Sequence, residues 1–156
     1  MTDLTDSPVS TFFGPPWLDA DGYVVPPTDE DGFLLDDLLL SWENQVSQYP
    51  ATGPGLVYFR GDVNQDVWVD CLLRYEGGEL VGILNHYPVD IKPWERRGNV
   101  TVWIHPDHRR QGIGQHLLTR AVERWQVDLD AQRYTRPGRA LAQAVRAQRE
   151  AGESRG

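Results

Sequence analysis

Apolar residues follow a helical period before residue 50 and a strand period after residue 55. Between residues 33 and 49, six apolar side chains recur every three or four positions, which predicts an amphipathic helix: Leu35, Leu38, Leu39, Trp42, Val46 and Tyr49. Prolines and glycines from Pro50 to Gly55 end this pattern. Before it, residues 1–30 carry five prolines among Asp, Ser and Thr, which predicts an irregular arm.

From Leu56 onward apolar and polar residues alternate, as they do in half-buried β-strands. This alternation predicts four strands: Leu56–Arg60, Val67–Glu76, Glu79–Tyr87 and Asn99–His105. Gly77-Gly78 joins the second and third strands, because both central residues of a type I′ turn need a positive φ. The sequence therefore predicts a mostly antiparallel sheet.

The helical period returns after this sheet. Ile113, Leu117, Ala121, Val122 and Trp125 share one face of a helix that begins near Gly112. The only stretch left for a fifth strand is 127–131, where two aspartates interrupt the apolar residues, and a second helix is expected over 137–150. The predicted fold is α+β (α/β), with helices flanking a mostly antiparallel central sheet. We divide it into an irregular arm (1–30), one domain (31–150) and a flexible tail (151–156).

Charge is distributed unevenly along the 156 residues, which carry a net charge of −8. Ten acidic residues and no basic ones precede Arg60, whereas the chain from Arg60 onward has 15 basic and 13 acidic residues. Such a balance disfavours nucleic acid as a partner, and the two halves are expected to attract each other. The absence of a long apolar run argues against a membrane protein, and the single Cys71 fits a cytoplasmic one. Fourteen of the basic residues are Arg, as in the GC-rich genomes of actinobacteria and their phages.

Candidate chemistry lies between the last predicted strand and the first helix after it. This segment reads Arg109-Arg110-Gln111-Gly112-Ile113-Gly114 and follows Pro106, which ends the strand. Glycines allow close approach of the backbone, and the free amides of a helix's first turn attract anions such as a pyrophosphate. A Walker A loop is excluded because no Lys-Ser or Lys-Thr follows, and a Rossmann turn because the third glycine is missing.

The pattern Arg-x-x-Gly-x-Gly at Arg109–Gly114, after a strand and before an apolar helix, resembles the pyrophosphate signature of the GCN5-related N-acetyltransferase (GNAT) family. The resemblance covers Val67–Trp125. It implies an N-acetyltransferase that moves an acetyl group from acetyl-CoA to a primary amine of a small molecule or protein. The alternative is a GNAT-fold protein that has lost catalysis and serves as a binding or structural component, for example of a phage.

The same resemblance implies roles for individual residues. Backbone groups of Val102, Trp103 and Ile104 are expected to line the pantetheine arm of acetyl-CoA. The pyrophosphate is expected to lie on amides of the signature loop: Arg109, Arg110, Gln111, Gly112, Ile113 and Gly114. An amide near Val102 or Trp103 is expected to polarise the thioester carbonyl.

Catalytic side chains are harder to assign, because the strand Asn99–His105 lacks the carboxylate that the family often places there. Glu95 is the candidate base, with Asp90 and His86 as alternatives, and Tyr134 is the candidate acid. His105-x-x-His108, with His116 and Cys71, was weighed as a zinc site, but without paired cysteines no metal is expected. Nothing in the sequence remains for the family's last two strands, so either the sheet is truncated or its edge is covered by the N-terminal arm or by a partner chain, as in a homodimer.

Overall fold

The computed structural model describes residues 17–25, 55–64, 67–90, 96–130, 132 and 134–155. The helix predicted over 33–49 and the candidate base Glu95 lie outside these residues. Within them, six strands, a short 3₁₀ turn and two helices follow one another along the chain: β1 (Trp17–Leu18), β2 (Val24–Val25), β3 (Leu56–Asn64), β4 (Val67–Glu76), β5 (Glu79–His86), β6 (Val100–Ile104), the 3₁₀ turn (Pro106–His108), α1 (Ile113–Arg124) and α2 (Arg136–Arg155).

The central sheet has the strand order β3-β4-β5-β6, and every neighbouring pair is antiparallel. Gly77 and Gly78 have φ values of 58° and 83°, as the β4–β5 turn requires. An antiparallel sheet with two helices confirms the predicted α+β fold. The strands form a meander in which each strand pairs with the next one in the chain.

Both faces of the sheet are buried along β4 and β5, because Cys71, Leu72 and Leu73 are all fully inaccessible. One face carries a cluster that includes Val69, Leu73 and Trp103. On the opposite face α1 and α2 pack against Leu72 and Leu84. This two-sided burial explains why β4 contains an apolar run where simple alternation would place a polar residue.

The helices begin in two different ways. Thr135 caps α2 through its Oγ1, which accepts a hydrogen bond from the Gly138 amide at 2.9 Å. The residue before α1 is Gly112, in a left-handed conformation and without a side chain that could cap the helix. The first-turn amides of α1 are therefore left without a side-chain acceptor.

Three segments differ from the sequence prediction. β3 continues to Asn64, and α2 continues to Arg155 through most of the expected tail 151–156, where alanines and glutamates favour helix. Residues 127–130 do not form a strand. There the Asp128 carboxylate accepts a hydrogen bond from the Asp130 amide, and this local bond replaces a strand ladder.

Residues 17–25 of the predicted irregular arm form a small hairpin, β1–β2, that docks beside the start of α2. The Val24 amide donates to the Tyr134 carbonyl at 2.7 Å. Arg136 forms ion pairs with Asp19 and Asp21, and its guanidinium lies 4.5 Å from the centre of the Tyr23 ring. The acidic front and basic back of the chain thus meet here, as the charge distribution predicts.

Gly82 in β5 is the point where α1 packs most closely on the sheet. A Cβ at this position would lie 3.0 Å from Leu117, 3.1 Å from Ile113 and 3.3 Å from Ile104. All three neighbours belong to α1 or to the strand before it, so the missing side chain sets how close α1 lies to the sheet.

We expect Gly82→Ala to lower the free energy of unfolding by about 1–3 kcal/mol, because three packed side chains must move. The matched control is Gly152→Ala in α2, where a Cβ meets nothing within 4 Å. This control should raise stability by up to about 1 kcal/mol through helix propensity. Urea unfolding measures both changes, and equal effects of the two substitutions would contradict the packing argument.

Candidate functional site

The outer edge of β6 presents backbone groups away from the sheet. The Tyr87 amide donates to the Asn99 carbonyl, and the His105 amide donates to the Val81 carbonyl. Because backbone direction alternates along a strand, the odd-numbered residues 99–105 face β5 and the even-numbered ones face outward. Val102 and Ile104 therefore turn their amides and carbonyls to the outer edge, whereas the backbone of Trp103 faces β5.

A separate segment covers the first part of this edge and leaves the second part open. The Asp128 amide donates to the Gly98 carbonyl at 2.9 Å, and the Val100 amide donates to Gln132 Oε1 at 2.9 Å. Further along β6, no group in the described part of the chain pairs with the outward amide and carbonyl of Val102. The edge is thus closed at Val100 and open at Val102.

The loop after β6 turns its backbone through two left-handed residues. Pro106–His108 form a 3₁₀ turn, Arg109 is extended, and Arg110 and Gly112 have φ values of 64° and 80°. An extended residue followed by a left-handed one has the backbone angles of a type II turn, so the chain reverses direction at Arg109-Arg110 before α1 begins. Arg110 is the only non-glycine residue with a positive φ in the described part of the chain.

None of the amides from Arg109 to Gln115 donates a hydrogen bond to any residue that the structure describes. The first amide of α1 with an acceptor is that of His116, which donates to the Gly112 carbonyl at 3.0 Å. Seven consecutive donors are therefore available at an exposed loop, and four of them belong to Gly112 and the first turn of α1. The positive end of the helix dipole lies at the same place.

Two further contacts hold this loop against the sheet. The Arg109 side chain donates through Nε to the outward carbonyl of Ile104 at 3.1 Å. A Cβ at Gly114 would lie 3.3 Å from Leu141 and 3.7 Å from Ile104, so the second glycine lets α1 begin close to both. Gly112 serves a different purpose, because a Cβ there would meet nothing within 4 Å and its positive φ alone favours glycine.

The candidate catalytic side chains are not gathered beside this loop. Glu95 lies outside the described residues. The Tyr134 hydroxyl donates to the Leu129 carbonyl, and burial raises the pKa of this phenol. Asp90 is exposed, and its pKa is lowered by a hydrogen bond from the Arg97 amide and by the charge of Arg96.

His86, the other alternative, is a buried residue with partners on both ring nitrogens. Its Nδ1 lies 3.0 Å from Asp70 Oδ2, and its Nε2 lies 3.4 Å from the Gln126 carbonyl. The ring stacks on Trp125 with centroids 5.3 Å apart. This histidine therefore joins β4, β5 and the end of α1. Cys71, which packs in the cluster on the other face of the sheet, is also buried, and burial raises the pKa of its thiol.

The structure brings together a polar cluster that sequence reasoning missed. His105 Nε2 lies 3.0 Å from Glu79 Oε1, and His108 Nδ1 lies 3.5 Å from Glu76 Oε2. Sequence reasoning weighed the two histidines with His116 and Cys71, but it had no reason to include glutamates from the β4–β5 hairpin. His116 instead contacts Arg74 at 3.1 Å, and Cys71 lies in the core.

Burial, and then the charges of Arg74 and Arg120, lowers the pKa of His116 below its ordinary value. Arginine only donates, so Nδ1 of a neutral His116 accepts from Arg74. We expect the His116 ring to titrate at lower pH than in an unfolded chain, as measured by NMR. Arg74→Met should raise the pH midpoint of this titration only part of the way to the unfolded-state value, because the His116 ring stays buried.

The folded state holds His116 neutral, so its contribution to stability falls as pH drops from the unfolded-state pKa toward the folded-state pKa. In His116→Gln this pH-dependent contribution to the free energy of unfolding should be absent. A stability difference between the wild type and His116→Gln that does not change over this pH window would contradict the assignment.

No helix in the described part of the chain combines the length and apolar character needed to cross a membrane. No curated protein and no solved structure matches the chain. A family model described as "Acetyltransferase (GNAT) family" matches residues 34–145, which is more than two thirds of the sequence and includes β6, the signature loop and α1. The chain therefore belongs to the GNAT acetyltransferase family.

Proposed function

We propose that this protein binds acetyl-CoA and transfers its acetyl group to a primary amine of a small molecule or protein. Membership of the family supports acyltransferase activity in general. The observation that carries the more specific proposal is the run of seven unpaired amides from Arg109 to Gln115. Such donors suit a diphosphate, which offers several anionic oxygens within a few ångströms.

The open edge at Val102 supports a site for the pantetheine arm. Pantetheine contains two amide groups, so it can pair with an exposed strand edge much as another strand does. The edge is continuous with the signature loop, because Arg109 joins the Ile104 carbonyl to that loop. A cofactor whose diphosphate lies on the loop would therefore extend its arm along β6 toward Val100, where Gln132 closes the edge.

The outward amide of Val102 is the group we assign to the thioester carbonyl. A neutral amine attacks this carbonyl, the oxygen gains negative charge, and a backbone N–H aimed at it stabilises that charge. The carbon–nitrogen bond forms, the carbon–sulfur bond breaks, the amine loses a proton, and the CoA thiolate takes one up. Glu95 remains the proposed base and Tyr134 the proposed acid.

A catalytically inactive binding protein is the second candidate, and two observations favour it. The described strand β6 carries no carboxylate. The Tyr134 hydroxyl donates to the Leu129 carbonyl, so its proton is already engaged within the protein. Binding of acetyl-CoA is expected under both candidates, and transfer to an amine separates them.

We expect Gly112→Trp to abolish binding of acetyl-CoA and of desulfo-CoA, because a large side chain at this residue fills the space in front of the loop amides. Isothermal titration calorimetry of wild type and variant measures this loss. The matched control is Gly22→Trp, since Gly22 has a similar φ of 85° and equally open surroundings. Both substitutions carry a backbone cost of about 1–3 kcal/mol, but only the first should affect binding.

The absence of heat with the wild-type protein would overturn the cofactor proposal. Equal loss in both variants would show that backbone strain, not occlusion of the loop, removes binding. If acetyl-CoA binds, a panel of amines monitored by release of free CoA thiol distinguishes an enzyme from an inactive relative.

Tyr134→Phe tests the proposed acid. The Tyr134 hydroxyl donates to a main-chain carbonyl, so we expect its removal to lower the free energy of unfolding by about 1 kcal/mol. A catalytic acid would in addition lower kcat by about 10²–10⁴ with unchanged affinity for acetyl-CoA. The proposed role as acid predicts both effects, and a loss of stability without this fall in kcat would contradict it.

A further inference from the structure

A cluster of two histidines and two glutamates lies where the β4–β5 hairpin meets the loop before the signature amides. Its members come from two parts of the chain: Glu76, Glu79, His105 and His108. One potential ligand atom from each of Glu79, His105 and His108 lies within 4.8 Å of the others. From this cluster we infer that Glu79, His105 and His108 form a binding site for a divalent transition-metal ion such as Zn²⁺.

The 3₁₀ turn explains why the two histidines lie together. Side chains three residues apart eclipse each other in a 3₁₀ turn, and His105 and His108 stand at its N-cap and its last residue. Their ring centroids are 5.4 Å apart, with the planes at 83°. The turn thus presents two imidazoles on one side, facing the hairpin.

The hairpin contributes negative charge at the same place. Glu76 and Glu79 are direct cross-strand partners, so their side chains project from the same face of the sheet. Like charges in this position repel each other, and a cation between them and the imidazoles relieves the repulsion. Arg74 pairs with Glu76 at 3.0 Å. Glu79 lies beside the two histidines instead, 3.0 Å from His105 Nε2 and 4.0 Å from His108 Nε2.

An unsatisfied atom gives an independent indication. His108 Nδ1 is buried and lacks a hydrogen-bond partner among the described residues, although Glu76 Oε2 is 3.5 Å away. His108 Nε2 lies 4.0 Å from Glu79 Oε2. With a metal on Nε2, the proton of the ring resides on Nδ1 and points at the Glu76 carboxylate, as second partners of metal-bound histidines usually do.

His105 must change its tautomer to bind the same ion. Its Nδ1 now accepts from the Asp107 amide at 3.1 Å, so Nε2 carries the proton that faces Glu79. Coordination of the ion through His105 Nε2 moves this proton to Nδ1. Asp107 Oδ2 lies 4.0 Å from Nδ1 and can accept this proton in a hydrogen bond after a small rotation of the side chain. The ion is held by two neutral imidazoles and one carboxylate, a donor set that suits zinc and leaves a fourth position for water.

The ligand atoms must draw closer to bind zinc. A tetrahedral zinc ion with bonds of about 2.1 Å holds its ligand atoms about 3.4 Å apart, against the 4.8 Å limit of this cluster, so the widest pair must close by up to about 1.4 Å. Glu79 supplies most of this movement, because its side chain is 57% exposed, whereas His105 is 8% exposed. A bound ion would fix the hairpin to the turn that precedes Arg109, and so would position the signature loop.

Calorimetry with Zn²⁺ alone tests the site on the full chain, purified without a histidine tag. We expect saturable binding of a single ion per chain, and a visible absorption band when Co²⁺ replaces Zn²⁺. His108→Gln and Glu79→Gln should each weaken zinc binding by at least about 10-fold. That is the lower end of the loss caused by changing a group that only hydrogen-bonds to a metal ligand. Acidification should also weaken it, since protons compete for the imidazoles.

His116→Gln is the matched control, because the same substitution is made at a histidine that contacts Arg74 and lies outside the cluster. It should bind zinc as the wild type does. Far-UV circular dichroism checks folding, and Glu79→Gln keeps the test valid if His108→Gln does not fold. Absence of saturable binding in the wild type, or unchanged affinity in both cluster variants, would overturn the proposal. Neither result would bear on acetyl-CoA binding, since no acyl-CoA is present.

Discussion

Seven consecutive backbone amides without an internal acceptor are the constraint on which the rest of this structure depends. A folded chain usually satisfies its polar backbone groups internally or with water. Here the loop between β6 and α1 leaves these donors without an acceptor in the described part of the chain, and Gly112 before α1 offers no capping side chain. The sheet, the close approach at Gly82 and the tight contact at Gly114 all serve to fix where these donors point.

The same constraint explains the contrast between the two helices. Thr135 satisfies a first-turn amide of α2 with its own side chain, and that helix is a packing element. The helix α1 packs as well, through Ile113, Leu117 and Leu118, yet its first turn stays open. One helix end is capped by a side chain and the other has no side-chain cap, and this difference is visible in the single residue before each helix, Thr135 or Gly112.

Much of this arrangement could be predicted from the sequence, where local patterns determine it. Alternation located β4, β5 and β6, the Gly77-Gly78 pair located their turn, and the Arg109–Gly114 pattern located the loop. The remaining features depend on contacts between particular residues, which no periodic pattern indicates. The Asp128 carboxylate accepts a hydrogen bond from the Asp130 amide and prevents a strand, and residues beyond 150 extend α2 because nothing there stops a helix. The Glu79–His105 contact joins residues distant in sequence, so no spacing rule could indicate it.

The N-terminal hairpin β1–β2 has a consequence for how the protein is made. The chain between Leu56 and Ile104 is a meander of neighbouring strands, and such local pairings form quickly and during synthesis. The hairpin, in contrast, reaches its ion-pair partner across 115 residues, from Asp21 to Arg136. The ribosome must therefore release most of the chain before the N-terminal hairpin can dock. This attachment forms late, after the sheet that carries the signature loop has already formed.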